Sequence, residues 1–303
     1  MATATTSAQS AKPRPHIRWS RGMPMLPTLV ILLLFLAGPV LYSVYLAFTN
    51  RALRGEGASE TSFVGLDNFT QAFDTSAFWN SFTLTIIFTL VSGVIGQTVL
   101  GMALALLLRR APSWVQAITG AVVVGAWIVP EVVAGYLWYT FLSEDGSLNN
   151  ILDLLHLPSQ DWLISAPIIA VSFANIWRGT AFAMLTFSAA LAQISPELEE
   201  SAQIDGAGPI RRFWSITLPL LRRAMMTALM LITLQTLSVF GLIYVMTGGG
   251  PSAQSQTLPL YMYEQAFSYG QLGYGTAIAL LLLGIGGIAA LAYLRVLPKE
   301  DKE

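Results

Sequence analysis

Residues 195–219 read SPELEESAQIDGAGPIRRFWSITLP, and this charged, helix-breaking island of about 25 residues separates two long apolar runs. A segment of that composition lies outside the hydrocarbon, on one side of a membrane. Ser195 is placed to cap a helix whose first position is Pro196, where the missing N–H costs nothing. Glu197, Glu199 and Glu200 put negative charge at the positive end of its dipole. Gly206 then suits a helix end that needs φ > 0, Gly208 loosens the turn, and Pro209 starts a second helix carrying Ile210, Phe213, Trp214 and Thr217. Leu198, Ser201 and Ala202 fall near one face of the first helix, giving a small docking surface with a charged rim.

Composition sets the class around this island. The chain has 303 residues, 54% hydrophobic and 11% charged, which places it among polytopic membrane proteins. Its formal charge of −1 offers no case for nucleic acid, and the absence of cysteine excludes disulfides and thiol chemistry. A helix-turn-helix reading of the island fails because its second helix runs into the membrane. His16 and His156 lie far apart in polar flanks, so no metal site is expected. Lys12, Lys299 and Lys302 are the only lysines and none follows a glycine-rich loop, so the chain has no P-loop. No nucleophile, base and acid constellation is visible, and no catalytic residue is assigned.

The apolar runs predict an all-α protein of six spans, at about 25–48, 78–108, 114–142, 165–191, 220–246 and 274–297, with the island as a loop at 195–219. Residues 1–24 read as a flexible basic tail with Lys12, Arg14, Arg18 and Arg21, and 298–303 as a short C-terminal tail. The first run is too long for a signal-peptide core and reads as an uncleaved span. Arg109 and Arg110, Arg211, Arg212, Arg222 and Arg223 of the island region, and Arg295 with the tail lysines all fall on one side. The positive-inside rule makes that side cytoplasmic, with both termini and the island inside.

Glu200, Ser201 and Ala202, Gly206 after three residues, then Ile216, Leu218 and Pro219 match the pattern E-A-A-x3-G-x9-I-x-L-P, with serine in place of the second residue. The island therefore resembles the EAA loop of the membrane-spanning subunits of bacterial ABC importers. Softer similarity to the carbohydrate-uptake branch, of maltose and glycerol-phosphate type, lies in FVGLDNF (63–69), PEVVAGYLW (130–138), WRGTAF (177–182) and the outer segment 247–275. The resemblance implies the type I importer fold, with 196–205 as the coupling helix that seats in a cleft of a cytoplasmic ATPase. It further implies import of a sugar or sugar derivative delivered by an extracytoplasmic solute-binding protein, through the bacterial cytoplasmic membrane. The partners implied are a second homologous permease and an ATPase dimer that holds the ATP and Mg, this chain itself binding no cofactor. In that frame Glu200 is expected to act as a latch, Ser201 and Ala202 to pack closely and Gly206 to form the bend, with Asp205, Ile216, Leu218 and Pro219 completing the coupling set.

Inside the membrane, ionisable groups are costly, so Glu131 and Arg178 become pathway candidates, each with a structural reading as an interhelical partner. Tyr136, Asn175, Trp177, Gln235 and Tyr244 complete the candidate lining, since sugar hydroxyls need donors and acceptors and sugar C–H faces stack on rings. Pro130 is expected to free a carbonyl and kink the third span. In 247–275, three glycines before Pro251 end a helix, and 258–267 is expected to form a short amphipathic or re-entrant helix. Small residues Gly93, Gly96, Gly101 and Ala105, and later Gly284, Gly286, Gly287 and Ala290, allow close helix approach, which builds a subunit interface or packs the bundle, the latter being the simpler expectation. The rival readings are an ion-coupled secondary transporter using Glu131, an ABC permease for a non-sugar solute, and a membrane scaffold that docks a cytoplasmic partner.

Overall fold

The computed structural model describes residues 26–297. The expected basic tail 1–24 and the C-terminal tail 298–303 lie outside them. The chain divides into two contact units, 1–45 and 46–303. Helix α1, Leu26–Ala47, crosses that boundary and carries no charged residue, as hydrocarbon surroundings require. Within the first unit Tyr42 and Tyr45 pack at 6.4 Å between ring centroids, and the Ser43 hydroxyl donates to the Pro39 carbonyl at 2.9 Å.

The second unit is a helical bundle. Its longer helices are α2 (Asp67–Asp74), α3 (Ser76–Leu108), α4 (Ser113–Ile128), α5 (Glu131–Leu142), α6 (Ser147–Leu154), α7 (Pro167–Leu191), α8 (Pro196–Ile204), α9 (Pro209–Leu237), α10 (Gly241–Met246), α11 (Leu258–Tyr263) and α12 (Leu272–Val296). Among the described residues, five helices are long and apolar enough to cross a membrane: α1, α3, α7, α9 and α12. The third predicted span is not one rod, because α4 ends at Ile128 and the helix resumes at Glu131 after a bend of 106°. Val129 and Pro130 are extended there, with ψ of 127° and 141°, because a proline ring disfavours helical geometry in the residue before it. The fifth predicted span is broken too, at Ser238–Phe240, where α9 gives way to α10.

Helix α7 is central: it packs on α3, α4 and α9, and half of its most apolar window is buried. One core joins Phe88 of α3, Ala134 of α5, Val171 and Ala174 of α7, and Leu242, Ile243 and Met246 of α10. A second joins Met102 of α3 and Phe187 of α7 to Leu221 and Ile232 of α9. Small residues allow this approach. A Cβ on Gly101 would lie 2.4 Å from that of Ala183, and one on Gly93 would lie 2.6 Å from Thr236 Oγ1. The later small-residue set packs only in part: a Cβ on Gly286 would lie 3.5 Å from Leu234, whereas Gly284 and Gly287 of α12 have nothing within 4 Å of an added Cβ. Those two glycines pack nothing in this chain.

The loop FVGLDNF packs under the first span's end, where the buried Asn68 amide donates to the carbonyls of Ala47 and Thr49 at 2.8 and 2.9 Å. Farther along, Gly248, Gly249 and Gly250 all take positive φ, 55°, 95° and 72°, which terminates α10 for the reason their residue type suggests. Helix α11, prolonged by a wider π-type turn at Glu264–Ser268, is neither amphipathic nor superficial at its start. Leu258, Pro259, Leu260 and Tyr261 are all buried, with Leu258 and Tyr261 against Phe78, Tyr274 and Ile278.

Candidate functional site: a docking helix and two broken spans

The island folds as a short helix, a bend and a second helix. Ser195 occupies the N-cap position of α8, but its hydroxyl accepts no backbone N–H and instead lies 3.4 Å from Glu197 Oε2. The C-terminus is closed more firmly: Gly206 takes φ 79°, its N–H reaches the Gln203 carbonyl at 3.0 Å, and the Ala207 N–H reaches the Ala202 carbonyl at 2.9 Å. This paired return is the Schellman arrangement, which satisfies carbonyls otherwise orphaned at a helix end.

The faces of α8 differ from the sequence expectation. Ala202 is 7% exposed and packs within the chain itself, so its small size serves an internal contact. Glu199, on the same side, pairs with Arg109 at the end of α3, a link between residues 90 apart that no local pattern announced. Leu198, Glu200, Ser201, Ile204, Asp205 and Gly206 are exposed, and Ile204 is 87% exposed. The free face thus combines acids with uncovered apolar side chains. Beyond the bend, Ile216 and Leu218 are half-buried and Pro219 is exposed, where a π-type turn, Phe213–Thr217, leads into the long run of α9.

Glu131 and Arg178 both serve the broken spans. Glu131 Oε1 accepts the backbone N–H groups of Phe240 and Leu242 at 3.1 and 3.0 Å, capping α10 from another span. Arg178 Nε donates to the Val129 carbonyl, freed at the end of α4, at 3.4 Å. Asn175 is buried: its side-chain amide donates to Ser92 Oγ at 2.7 Å and its backbone carbonyl accepts from the Gln97 side chain at 3.1 Å. These groups bind protein, which is the structural reading of each.

The remaining pathway candidates are open. Tyr136 is 61% exposed, Tyr244 is 48% exposed, Gln235 is exposed, and Trp177 meets Trp138 edge to face at 6.0 Å. Tyr244 belongs to an aromatic cluster that the sequence reading missed. Phe240 stacks on Tyr244 at 5.4 Å, Tyr263 lies 4.8 Å from Phe240 and 5.5 Å from Tyr244, and Phe267 follows at 5.3 Å from Tyr263. The i, i+4 spacing of Phe240 with Tyr244 and of Tyr263 with Phe267 was readable, but their meeting was not. Such a cluster offers rings to the C–H face of a polar ligand. Among the described residues no group of three or more acidic or imidazole side chains is placed to hold a metal ion.

Residues 97–300 match the family model described as binding-protein-dependent transport system inner membrane component. The chain is 34% identical over 281 residues to the sulfoquinovosyl glycerol transport system permease protein SmoG of Agrobacterium fabrum, covering 91% of this chain and 89% of that one. It is likewise 34% identical over 276 residues to the trehalose/maltose transport system permease protein MalF of Thermococcus litoralis, covering 90% and 91%. Among solved structures, a chain of a bacterial alginate ABC transporter, in complex with alginate pentasaccharide-bound periplasmic protein, superposes with a TM-score of 0.77. At 23% identity over 91% of this chain and 92% of that one, it shares the fold.

Proposed function

The chain belongs to the family of binding-protein-dependent transport system inner membrane components, and from that premise we propose that it imports a sugar or sugar derivative handed over by an extracytoplasmic solute-binding protein. It is a multi-pass permease subunit of an ABC importer in the inner membrane. Relatives named for sulfoquinovosyl glycerol and for trehalose and maltose support a carbohydrate solute. The positive side chains at the helix ends near α8 support a cytoplasmic location for that helix and for both termini. A second homologous permease and an ATPase dimer complete the assembly, and ATP with Mg binds on the ATPase.

The observation that carries this reading is the exposed face of α8, rigidly closed at Gly206 and pinned to α3 by Arg109 and Glu199. Glu200 is the latch in the ATPase cleft, with Ser201, Ile204 and Asp205 as its neighbours on the free face. Movement of α8 on ATPase closure passes through the bend into α9, which is helical from Pro209 to Leu237. At the break after Leu237, Glu131 ties α10 to α5, so displacement of one broken span re-aims the other. The aromatic cluster around Tyr244 and Phe240 then lines the route for the solute, with Tyr136, Trp177 and Gln235 as further exposed contacts. The engagement of Glu131 with backbone N–H groups favours an ATP-driven permease over an ion-coupled carrier that would need that carboxylate free.

The test is uptake in proteoliposomes holding the full chain and its co-purifying subunits, with binding protein and labelled sugar. Tyr244→Ala should lower uptake about tenfold, the equivalent of one lost ring contact, while leaving basal ATP hydrolysis in place. Uptake driven by an ion gradient without ATP would overturn the reading.

A further inference from the structure

On the side of the bundle that carries α8, a cleft of about 460 Å³ opens between the end of α3 and the start of α9. Arg109, Arg110 and Arg212 line it against a single carboxylate, Glu199, which is already committed to Arg109. Arg212 Nη1 is buried and has no hydrogen-bond partner among the described residues. A buried guanidinium N–H left without an acceptor is costly, and guanidinium geometry matches the oxygens of phosphate. The cleft therefore has the charge and the vacant donor of an anion site.

Its other walls are apolar and uncovered. Leu107, Ile210 and Trp214 line it at 70%, 74% and 64% exposure, and all three sit at the ends of helices that cross the membrane. A free water-soluble phosphate would satisfy Arg212 and leave those three side chains in water. An amphiphile satisfies both requirements, and tryptophan at a membrane interface suits the headgroup level. We infer that this cleft binds an anionic phospholipid, its phosphate on Arg212 and Arg110 and its acyl chain along Leu107, Ile210 and Trp214. Basic pockets between membrane helices on the cytoplasmic side favour such headgroups, because that leaflet carries anionic lipid. The site lies beside the Arg109 to Glu199 link, so lipid bound there braces the base of the docking helix. The inference rests on the proposed orientation for its choice of leaflet and is independent of the transported solute.

The experiment is native mass spectrometry of the full chain with its co-purifying subunits, titrated with dioleoyl phosphatidylglycerol or dioleoyl phosphatidylcholine. Phosphatidylglycerol should occupy one site at about a tenfold lower concentration than phosphatidylcholine, because both carry the phosphate but phosphatidylcholine also brings a choline cation against the arginines, a difference on the order of one charge interaction. Arg212→Gln and, separately, Arg110→Gln should abolish that preference, whereas Arg295→Gln, at the end of α12 and outside the cleft, should keep it. Equal retention of the two lipids, or an unchanged preference in both cleft variants, overturns the proposal. Displacement of the lipid by millimolar inorganic phosphate with no loss of affinity for phosphate alone would show a free-anion site instead. Lipid bound to the chain alone but absent from the complete transporter would make the cleft a subunit contact. Neither binding measurement needs ATP or sugar, so its failure is separate from a failure of transport.

Discussion

The carboxylate of Glu131 accepts the backbone N–H of Leu242 at 3.0 Å, joining the start of α5 to the start of α10 across 111 residues of chain. The same oxygen takes the Phe240 N–H at 3.1 Å. Backbone N–H groups that the break at Ser238–Phe240 would leave orphaned are thereby taken up by a carboxylate that stands just after the other break. Arg178 does the complementary task at the Val129 carbonyl.

Replacement of Glu131 separates its charge from its acceptor role. Glu131→Ala leaves two N–H groups without their partner and should cost about 2–3 kcal/mol of stability. Glu131→Gln keeps an acceptor oxygen and should cost about 1 kcal/mol. Thermal unfolding of the purified chain measures both. Retention of ATP-driven uptake in the Gln variant is expected; its complete loss with unchanged stability would restore a proton-coupled role.

Gly206 tests the bend. An added Cβ meets nothing within 4 Å, so the cost of a side chain comes from φ 79° alone. Gly206→Val should raise that local cost by about 1–2 kcal/mol and Gly206→Asn by much less. Co-purification with the ATPase should weaken in that order. Equal recovery of the ATPase with the Val variant would remove the bend from the coupling role.

The Arg109 and Glu199 pair is partly exposed, with side-chain exposures of 28% and 21%, so its free-energy contribution is modest. A double-mutant cycle with Arg109→Ala and Glu199→Ala should return a coupling of about 0.5–1 kcal/mol in stability. Ligand-stimulated ATP hydrolysis is the sharper readout. Each single variant should lower it, and the charge-swapped Arg109→Glu with Glu199→Arg should recover part of the loss.

Gly101 and Gly287 predict opposite outcomes for the same substitution. Gly101→Leu drives a side chain into Ala183 and the Met184 backbone, and should abolish a monodisperse chain on size-exclusion chromatography. Gly287→Leu meets open space within the chain and should leave the isolated chain monodisperse.

Glu264, in the turn that prolongs α11, has its carboxyl pushed above the ordinary carboxylate range by burial, an effect opposed by a hydrogen bond from Gln256. The folded chain therefore holds this proton more tightly than the unfolded one. Its contribution is present below the unfolded carboxylate value and is lost as pH rises through the folded value. Glu264→Gln should flatten the pH dependence of unfolding over that window and raise stability at neutral pH. A wild-type stability that climbs with pH there, and is lowered by the Gln variant, would contradict this assignment.

Helix α8 was legible because every signal for it is local. Pro196 and the acids mark a start, Gly206 marks a stop, and the spacing to Leu218 and Pro219 marks the return to the membrane. Which face of α8 is free was not legible, because the partners of Glu199 and Ala202 come from elsewhere in the fold. Pro130 announced a break in the third span, yet nothing adjacent specified a 106° turn. The break at Ser238–Phe240 carries no proline at all. Its stability depends on a carboxylate supplied from a helix that precedes it by more than 100 residues.

The sequence by itself determined that this is a polytopic helical membrane protein with a short charged helix between its fourth and fifth predicted spans. Hydrophobic run length, basic flanks and helix-end residues act over a few turns of chain and need no fold to be read. Only the tertiary structure decided what the polar groups of the spans do. Asn175 is buried and Glu131 and Arg178 are half-buried, where a missing partner is costly, and all three found theirs on distant backbone and side chains. The rings of Phe240, Tyr244, Tyr263 and Phe267 were left to form the exposed cluster.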